Sequence, residues 1–229
     1  MCIRDRYTAI KNPRNYQDNI KRVLNNTDLS HLKEVTVVGG EPLYSKSLPW
    51  FLSLLHEDVK LIVVTNGSLM PSDDMFSKFK SVMFQVSIDA IGDLGTAMRM
   101  KVPFETVDKN IKQMIKKYTV QVHTTISVQN INRLAELDKY CVNDLQDKVK
   151  HSVALLHEPA YMRIDIIPLE KRMQWLTENK WINRDMKIPY RESPRDVEHF
   201  LENMEILDDE STIKFKDANP EIMDILNEM

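Results

Sequence analysis

Short apolar runs alternate with amphipathic stretches through the first two thirds of the chain. Five runs rich in β-branched residues predict strands at about residues 34–38, 59–64, 81–88, 120–128 and 153–156. Before and between them, apolar residues at helical spacing predict helices at about residues 16–25, 48–57, 72–79, 104–117 and 131–145. This alternation, with strands that look buried, predicts a parallel α/β architecture. An open doubly wound sheet and a (βα) barrel both fit it.

The pattern changes after Pro168. Residues 169–180, 196–207 and 220–229 predict helices with no strand between them. Their apolar residues recur at helical spacing and need a partner surface: Met173, Leu176, Val197, Leu201 and Met204. We therefore expect residues 168–229 to form a mainly helical extension that closes the side or the opening of the α/β part.

Composition narrows the class of protein. The chain has 229 residues, of which 28% are charged and 42% apolar, with a net charge of −3, which is typical of one soluble globular domain with a small appendage. No apolar run approaches the roughly 18 residues of a membrane span, so we expect a cytoplasmic protein with no membrane partner. The scattered basic residues argue against a nucleic-acid partner. Cys2 and Cys141 are too few for a disulfide framework or a zinc site.

Polar residues mark four of the strand ends. All five glycines lie between Gly39 and Gly95. The residues with which the chain leaves each strand are called here the exits. Four of them are polar: Gly39-Gly40-Glu41-Pro42, Thr65-Asn66-Gly67, Ser87-Ile88-Asp89, and Thr125-Ile126-Ser127 followed by Asn130. Ligands of parallel α/β proteins bind at the carboxyl ends of the strands. The two glycines let main-chain carbonyls approach an ammonium group beside the Glu41 carboxylate, and Pro42 fixes the turn.

The next two exits offer groups for a ribose and a carboxylate. Asn66 and Asp89 can hold ribose hydroxyls, and Ser87 can contact either group. Arg99, expected on the loop after Asp89, offers a guanidinium fork to a carboxylate. Each exit alone is equally typical of a turn or a helix cap. Their occurrence together, in order, favours a binding site.

In sequence, these exits resemble the radical S-adenosylmethionine (SAM) superfamily, and the stretch on to Pro159 resembles the twitch-domain-containing radical SAM proteins of marine bacteria and phage. The resemblance covers about residues 35–168. It implies a partial (βα)6 TIM-like barrel that binds SAM and a [4Fe–4S] cluster. Such an enzyme receives an electron from an external donor and cleaves SAM reductively. The 5′-deoxyadenosyl radical then abstracts hydrogen from a substrate, for which we favour a peptide or protein.

The resemblance also implies roles for the residues at the strand exits. Gly39, Gly40 and Glu41, with Pro42 in their turn, receive the methionine amine. Asn66, Ser87 and Asp89 lie along SAM, and Arg99 pairs with its carboxylate. Thr125, Ser127 and Asn130 extend the site to the next exit.

One departure concerns the cluster. The superfamily binds it through a CxxxCxxC loop after the first strand, and this chain has no such motif. The residues Met1 to Arg6 resemble the translated end of a transposon adaptor used in DNA sequencing. We therefore expect residues 1–6 to be foreign, residues 7–167 to be a barrel lacking its first strand, and the chain as given to be inactive. A noncatalytic SAM-barrel-like binding protein that has lost its cluster is the alternative. No cysteine follows Cys141, so an auxiliary cluster in the extension is not expected.

A P-loop NTPase is the less favoured alternative. Residues 40–47 differ by one residue from GxxxxGK[ST] and follow a strand. However, Ser45 replaces the second glycine, Pro42 has no N–H to offer a phosphate, and Glu41 would face the phosphates.

The other residues with reactive or metal-ligating side chains are expected to pack within the fold rather than to bind a ligand. His123 lies inside the fourth predicted strand and His157 follows the fifth, where imidazoles are usually satisfied core or rim groups. The 13 methionines are expected to fill the core rather than bind copper.

Overall fold

The strands form one parallel sheet in sequence order. The computed structural model describes residues 13–99, 102–146, 148–177 and 191–229. The strands are β1 (Glu34–Val37), β2 (Lys60–Thr65), β3 (Ser81–Ser87), β4 (Thr119–Ile126) and β5 (Lys150–Leu155), and each pairs in parallel with the next. A doubly wound sheet reverses its strand order at a switch point, and this sheet does not. The order is that of a (βα) barrel segment.

Ten α-helices accompany the strands in the described part of the chain: α1 (Pro13–Asn25), α2 (Leu48–Ser53), α3 (Asp73–Phe76), α4 (Gly92–Arg99), α5 (Phe104–Met114), α6 (Leu134–Lys139), α7 (Leu169–Thr177), α8 (Pro194–Glu210), α9 (Phe215–Ala218) and α10 (Pro220–Asn227). Short 3-10 turns lie at Pro42–Tyr44, Ile131–Arg133, Ala160–Met162 and Ile164–Ile166, and a π turn at Tyr140–Asp144 follows α6. None of the described helices has the length and apolar character that a bilayer crossing needs. Residues 1–6, which include Cys2 and were predicted to be foreign, lie outside the described residues. So do residues 178–180, the end of the helix predicted at residues 169–180.

The helix α4 was not predicted from the sequence. Two glycines in eight residues lower its helix propensity and look like turn signals. The structure gives the reason for one of them, because a Cβ on Gly95 would lie 2.5 Å from the main-chain oxygen of Ala90. Glycine therefore allows α4 to pack directly on the chain that leaves β3.

The sheet has one enclosed apolar face and one half-buried face, on which polar residues lie beside Ile62, Val64 and Met83. Alternate residues of the central strands are enclosed against α2, α3 and α5: Leu61, Val63, Phe84, Val86, Val120 and Val122. The rings of Phe76 on α3 and Phe84 pack edge to face, 5.3 Å apart. The opposite face, called here the open face, carries the half-buried residues Gln85, Ser87, Gln121, His123, Thr125 and Ser152.

The described residues after Pro168 that form regular structure are helical and pack on the exits of β3 and β4. Their buried apolar side chains join Ala90, Leu94, Ile126 and Val128 in a second core: Val197, Phe200, Met204, Phe215, Ile222 and Leu226. Leu201 is partly buried against the same core, and the side chain of Leu176 lies outside the described residues. The helices beyond β5 thus cover one end of the sheet.

An amide pair fastens this extension to the chain that leaves β4. Asn132 and Asn219 exchange two hydrogen bonds, of 2.8 and 2.9 Å, and Asn219 also donates to the Gln129 carbonyl at 2.9 Å. Asn219 is fully buried. Because buried polar groups need partners, the extension and the chain after β4 each supply hydrogen bonds that the other needs.

We expect Asn219→Ala to lower the free energy of unfolding by about 1–3 kcal/mol, because the Gln129 carbonyl and Asn132 Oδ1 lose their donor, while Asn132 Nδ2 keeps its bond to Glu221. Urea denaturation measures the loss. A double-mutant cycle with Asn132→Ala should show strong non-additivity. Additive effects of the two changes would contradict the amide pair.

Candidate functional site

Four of the predicted site residues line one cavity beyond β2 and β3. Asn66, Ser87, Asp89 and Arg99 contribute its polar atoms, and its other walls are mainly apolar: Ile88, Ala90, Gly95, Val102, Phe104 and Val107. The cavity is small, about 10 Å³, which is room for about one water molecule. A nucleoside-sized ligand would therefore contact these groups from the open side rather than enter the cavity.

Glu41 ties the exit of β1 to the exit of β2. Its Oε1 accepts hydrogen bonds from the Leu43 amide at 3.1 Å and the Thr65 hydroxyl at 2.9 Å, and its Oε2 accepts one from the Asn66 amide at 2.7 Å. The carboxylate is thus largely occupied by its own chain. The geometry favours Glu41 as the residue that positions Asn66 over the predicted role of receiving an ammonium group, and Pro42 lies buried in the same turn.

The glycines of the first two exits differ in what surrounds them. Gly39 has a φ of +151° and both Gly39 and Gly40 are exposed, yet a Cβ on either would meet no atom within 4 Å. At Gly67, with a φ of +74°, a Cβ would lie 2.9 Å from a methyl carbon of Val107. Packing therefore explains Gly67 but not Gly40, and the Gly39-Gly40 main chain is open to an approaching ligand.

Asp89 and Arg99 form an ion pair with each other. Arg99 is the last residue of α4, so the prediction that it lies on a loop was wrong. One of its terminal nitrogens lies 2.5 Å from Asp89 Oδ2, and Asp89 Oδ1 accepts the Thr125 amide at 2.9 Å. Arg99 Nε is buried and, within the described residues, has no hydrogen-bond partner. The pair leaves this N–H for a further acceptor, whereas Asp89 is held on two sides by the protein.

The residues predicted at the β4 exit mostly hold the backbone. Asn130 is fully buried, and its amide donates to the carbonyls of Asp89 and Thr125 and accepts the Ser127 amide. The Ser127 hydroxyl is buried and accepts the Gln129 amide at 3.3 Å. We therefore reassign Asn130 and Ser127 as residues that position the exits. Thr125 lies half-buried on the open face.

Sequence reasoning missed Asn110 on α5. This asparagine is buried among apolar neighbours of the helix, and its Nδ2 donates to the Gly67 carbonyl at 2.8 Å. It fixes the turn that presents Asn66. A buried amide on the apolar stripe of an amphipathic helix was the signal available in the sequence.

The chain after β1 does not form a phosphate-binding loop. The amides of Leu43, Tyr44, Ser45 and Ser47 all donate to acceptors within the turn, and Pro42 has no N–H. A P-loop needs such amides free to surround phosphate oxygens. The structure therefore disfavours the NTPase alternative.

The described residues offer no cluster ligands. They contain no group of three or more His, Cys, Asp or Glu side chains placed to hold a metal ion. Cys141 is buried, and desolvation, aided by the charge of Asp138, raises the pKa of its thiol to about 12. A cluster needs several thiolates, and this thiol stays protonated, so these residues do not fit a [4Fe–4S] group.

Comparison with known proteins gives a likeness of structure only. No protein-family model and no curated protein sequence matches the chain. SuiB of Streptococcus suis bound to S-adenosylmethionine matches 63% of this chain and 34% of its own, with a TM-score of 0.50 and 19% identity. The chain shares the fold of SuiB.

Two further structures resemble the chain less well. SuiB bound to its precursor peptide SuiA has a TM-score of 0.49 and 20% identity, over 71% of this chain and 38% of its own. Native anSMEcpe with bound AdoMet has a TM-score of 0.45 and 18% identity, over 82% of this chain and 49% of its own. The chain thus matches a third to a half of the length of these proteins.

We expect Glu41→Ala to lower the free energy of unfolding by about 1–3 kcal/mol, because two amides and one hydroxyl lose their acceptor. Glu57→Ala is the matched control, since its carboxylate is exposed and only pairs with Lys80. Thermal or urea denaturation measures both. An equal, near-zero effect of the two changes would mean that Glu41 does not fasten the two exits together.

Proposed function

We propose that this chain is the SAM-binding part of a radical SAM-type enzyme. The observation that carries the proposal is the convergence of Asn66, Ser87, Asp89 and Arg99 on one cavity at the exits of adjacent parallel strands. The fold shared with SAM-bound SuiB supports it. The sequence resemblance to the radical SAM superfamily also supports the proposal, because the motifs that carry it lie at these same exits.

The proposed contacts follow from which polar groups remain available. The open Gly39-Gly40 main chain receives the methionine amine, and Glu41 holds the neighbouring turn in place. Asn66, Ser87 and Asp89 lie along the ribose. Arg99, already fixed by Asp89 through one terminal nitrogen, offers the outer part of its guanidinium group to the carboxylate. In each case the chain binds and orients SAM and keeps water from its buried side.

We further propose that the cluster ligands are encoded upstream of Tyr7. The described residues do not fit the cluster, and the resemblance begins only at the second strand of the radical SAM pattern. In this proposal, β1 is the second strand of the barrel, and the chain as given neither holds a cluster nor cleaves SAM.

A peptide is the proposed substrate. SuiB, whose fold this chain shares, is also found bound to a precursor peptide. The open face of the sheet carries hydrogen-bonding side chains next to Ser87, and their chemistry suits the amide groups of a peptide.

The chain should bind SAM in isothermal titration. Ser87→Val should weaken binding about tenfold, or ~1.4 kcal/mol, because it removes a hydroxyl and fills the cavity mouth. Thr119→Val makes the matched change at the exposed amino end of β4 and should leave the affinity unchanged. Absence of SAM binding would refute the proposal. Binding of Mg-ATP instead would favour the NTPase alternative.

Genomic DNA upstream of the Tyr7 codon should encode one more strand followed by CxxxCxxC. Sequencing the source genomic DNA on both sides of the Tyr7 codon tests this prediction directly. Native DNA that encodes Met1 to Arg6 behind a genuine start codon would contradict the upstream cluster loop. That outcome would favour a SAM-barrel-like binding protein without radical chemistry.

A further inference from the structure

His123 occupies the open face of the sheet next to the proposed SAM site. The parallel register aligns Ser87 on β3, His123 on β4 and Ser152 on β5 as neighbours in one row. Adjacent strands lie about 4.8 Å apart, so His123 is one strand from Ser87. The prediction of a core or rim histidine did not anticipate this position, because His123 is half-buried on the face opposite the apolar core.

Two neighbours fix the orientation of this imidazole. Gln121 Nε2 donates to Ser152 Oγ at 2.7 Å, and Ser152 Oγ donates to the Val122 carbonyl at 3.3 Å. His123 Nδ1 lies 3.0 Å from the same hydroxyl oxygen. A serine hydroxyl has one hydrogen and two lone pairs. All three contacts are satisfied together only when the hydrogen points to Val122, one lone pair accepts from Gln121, and the second lone pair accepts a proton carried by Nδ1.

This arrangement determines the chemistry of the other ring nitrogen. With the proton on Nδ1, Nε2 of the neutral ring carries a lone pair and acts as an acceptor. No hydrogen bond among the described residues reaches Nε2. It lies across the ring from Ser152, away from the network that holds Nδ1. The ring is therefore held in one orientation before any partner binds, and this reduces the entropy lost on binding.

We propose that His123 is a substrate-binding residue, whose Nε2 accepts a hydrogen bond from an amide N–H of a peptide lying on the open face beside SAM. Ser152 and Gln121 act as positioning residues for it. This inference rests on the proposed function for the site, and it adds the residue that selects the substrate. A purely structural network would need only the bonds among Gln121, Ser152 and Val122.

The tautomer is tested without any ligand. Long-range nitrogen–proton NMR of the ¹⁵N-labelled full chain should show the proton of His123 on Nδ1. Ser152→Ala should shift the ring toward the Nε2–H form, and Ser152→Thr should restore the original state because it keeps the hydroxyl. A wild-type ring with its proton on Nε2 would overturn the proposal.

The binding role is tested with peptides selected from a random display library on the full chain saturated with SAM. For a selected peptide, His123→Ala should weaken binding about tenfold or more. Ser152→Ala should give a smaller loss that Ser152→Thr reverses. His56→Ala is the matched control, since His56 is exposed in the turn before β2. Selection of no peptide, or equal affinity for wild type and His123→Ala, would overturn the proposal.

The SAM affinity of each protein is measured in the same series. A wild-type chain that binds SAM but shows no dependence of peptide binding on His123 refutes this inference alone. A wild-type chain that fails to bind SAM refutes the proposed function. If selected peptides then still bind with the predicted dependence on His123, the role of the imidazole stands without the SAM assignment.

Discussion

The structure depends on how the main-chain groups are satisfied where the parallel strands end. Inside the sheet, neighbouring strands pair their amides and carbonyls, but main-chain groups just beyond the strands need other partners. Side chains supply the missing partners. Glu41 accepts a hydrogen bond from the Asn66 amide, and Asp89 accepts one from the Thr125 amide. The side chain of Asn130 donates to the Asp89 and Thr125 carbonyls. These bonds join the exit of β1 to that of β2 and the exit of β3 to that of β4.

The helical extension is linked to the exits of β3 and β4. Asn219 donates to the Gln129 carbonyl, the Gln129 amide donates to the Ser127 hydroxyl, and the Ser127 amide donates to Asn130. Asn130 in turn holds Asp89, the partner of Arg99. A continuous run of hydrogen bonds therefore links the junction of α9 and α10 to the proposed site. Loss of the extension would remove buried partners from the β4 exit, whatever further role the extension has in binding.

The sequence was sufficient to predict the strands and the exits, and insufficient to assign each polar group. Runs such as residues 59–64 combine β-branched content with short length, and these properties depend little on context. The helix α4 escaped detection because Gly95, which is required by the close main chain of Ala90 five residues earlier, looks like a turn signal in the sequence. Glu41 and Asn130 were predicted to lie at a ligand site, and the bonds they make to the backbone were not foreseen, because a carboxylate or an amide looks the same in sequence whether it faces a ligand or the backbone. His123 was assigned to packing because the face on which a strand residue lies depends on which side the helices cover.

The two kinds of polar residue have a consistent relation to each other. Three groups proposed to meet a ligand are each held by a neighbouring side chain: the Asn66 backbone by Glu41, Arg99 by Asp89, and the His123 ring by Ser152. A side chain fixed before binding loses less conformational freedom when the ligand arrives, so such pairing strengthens recognition without adding contacts. It also separates two effects of substitution. Changing a holding residue should lower stability and affinity together, since its buried partners lose hydrogen bonds. Changing a residue proposed to contact the ligand should lower affinity with little effect on stability. This contrast distinguishes a binding site from a sheet end whose hydrogen bonds serve stability alone.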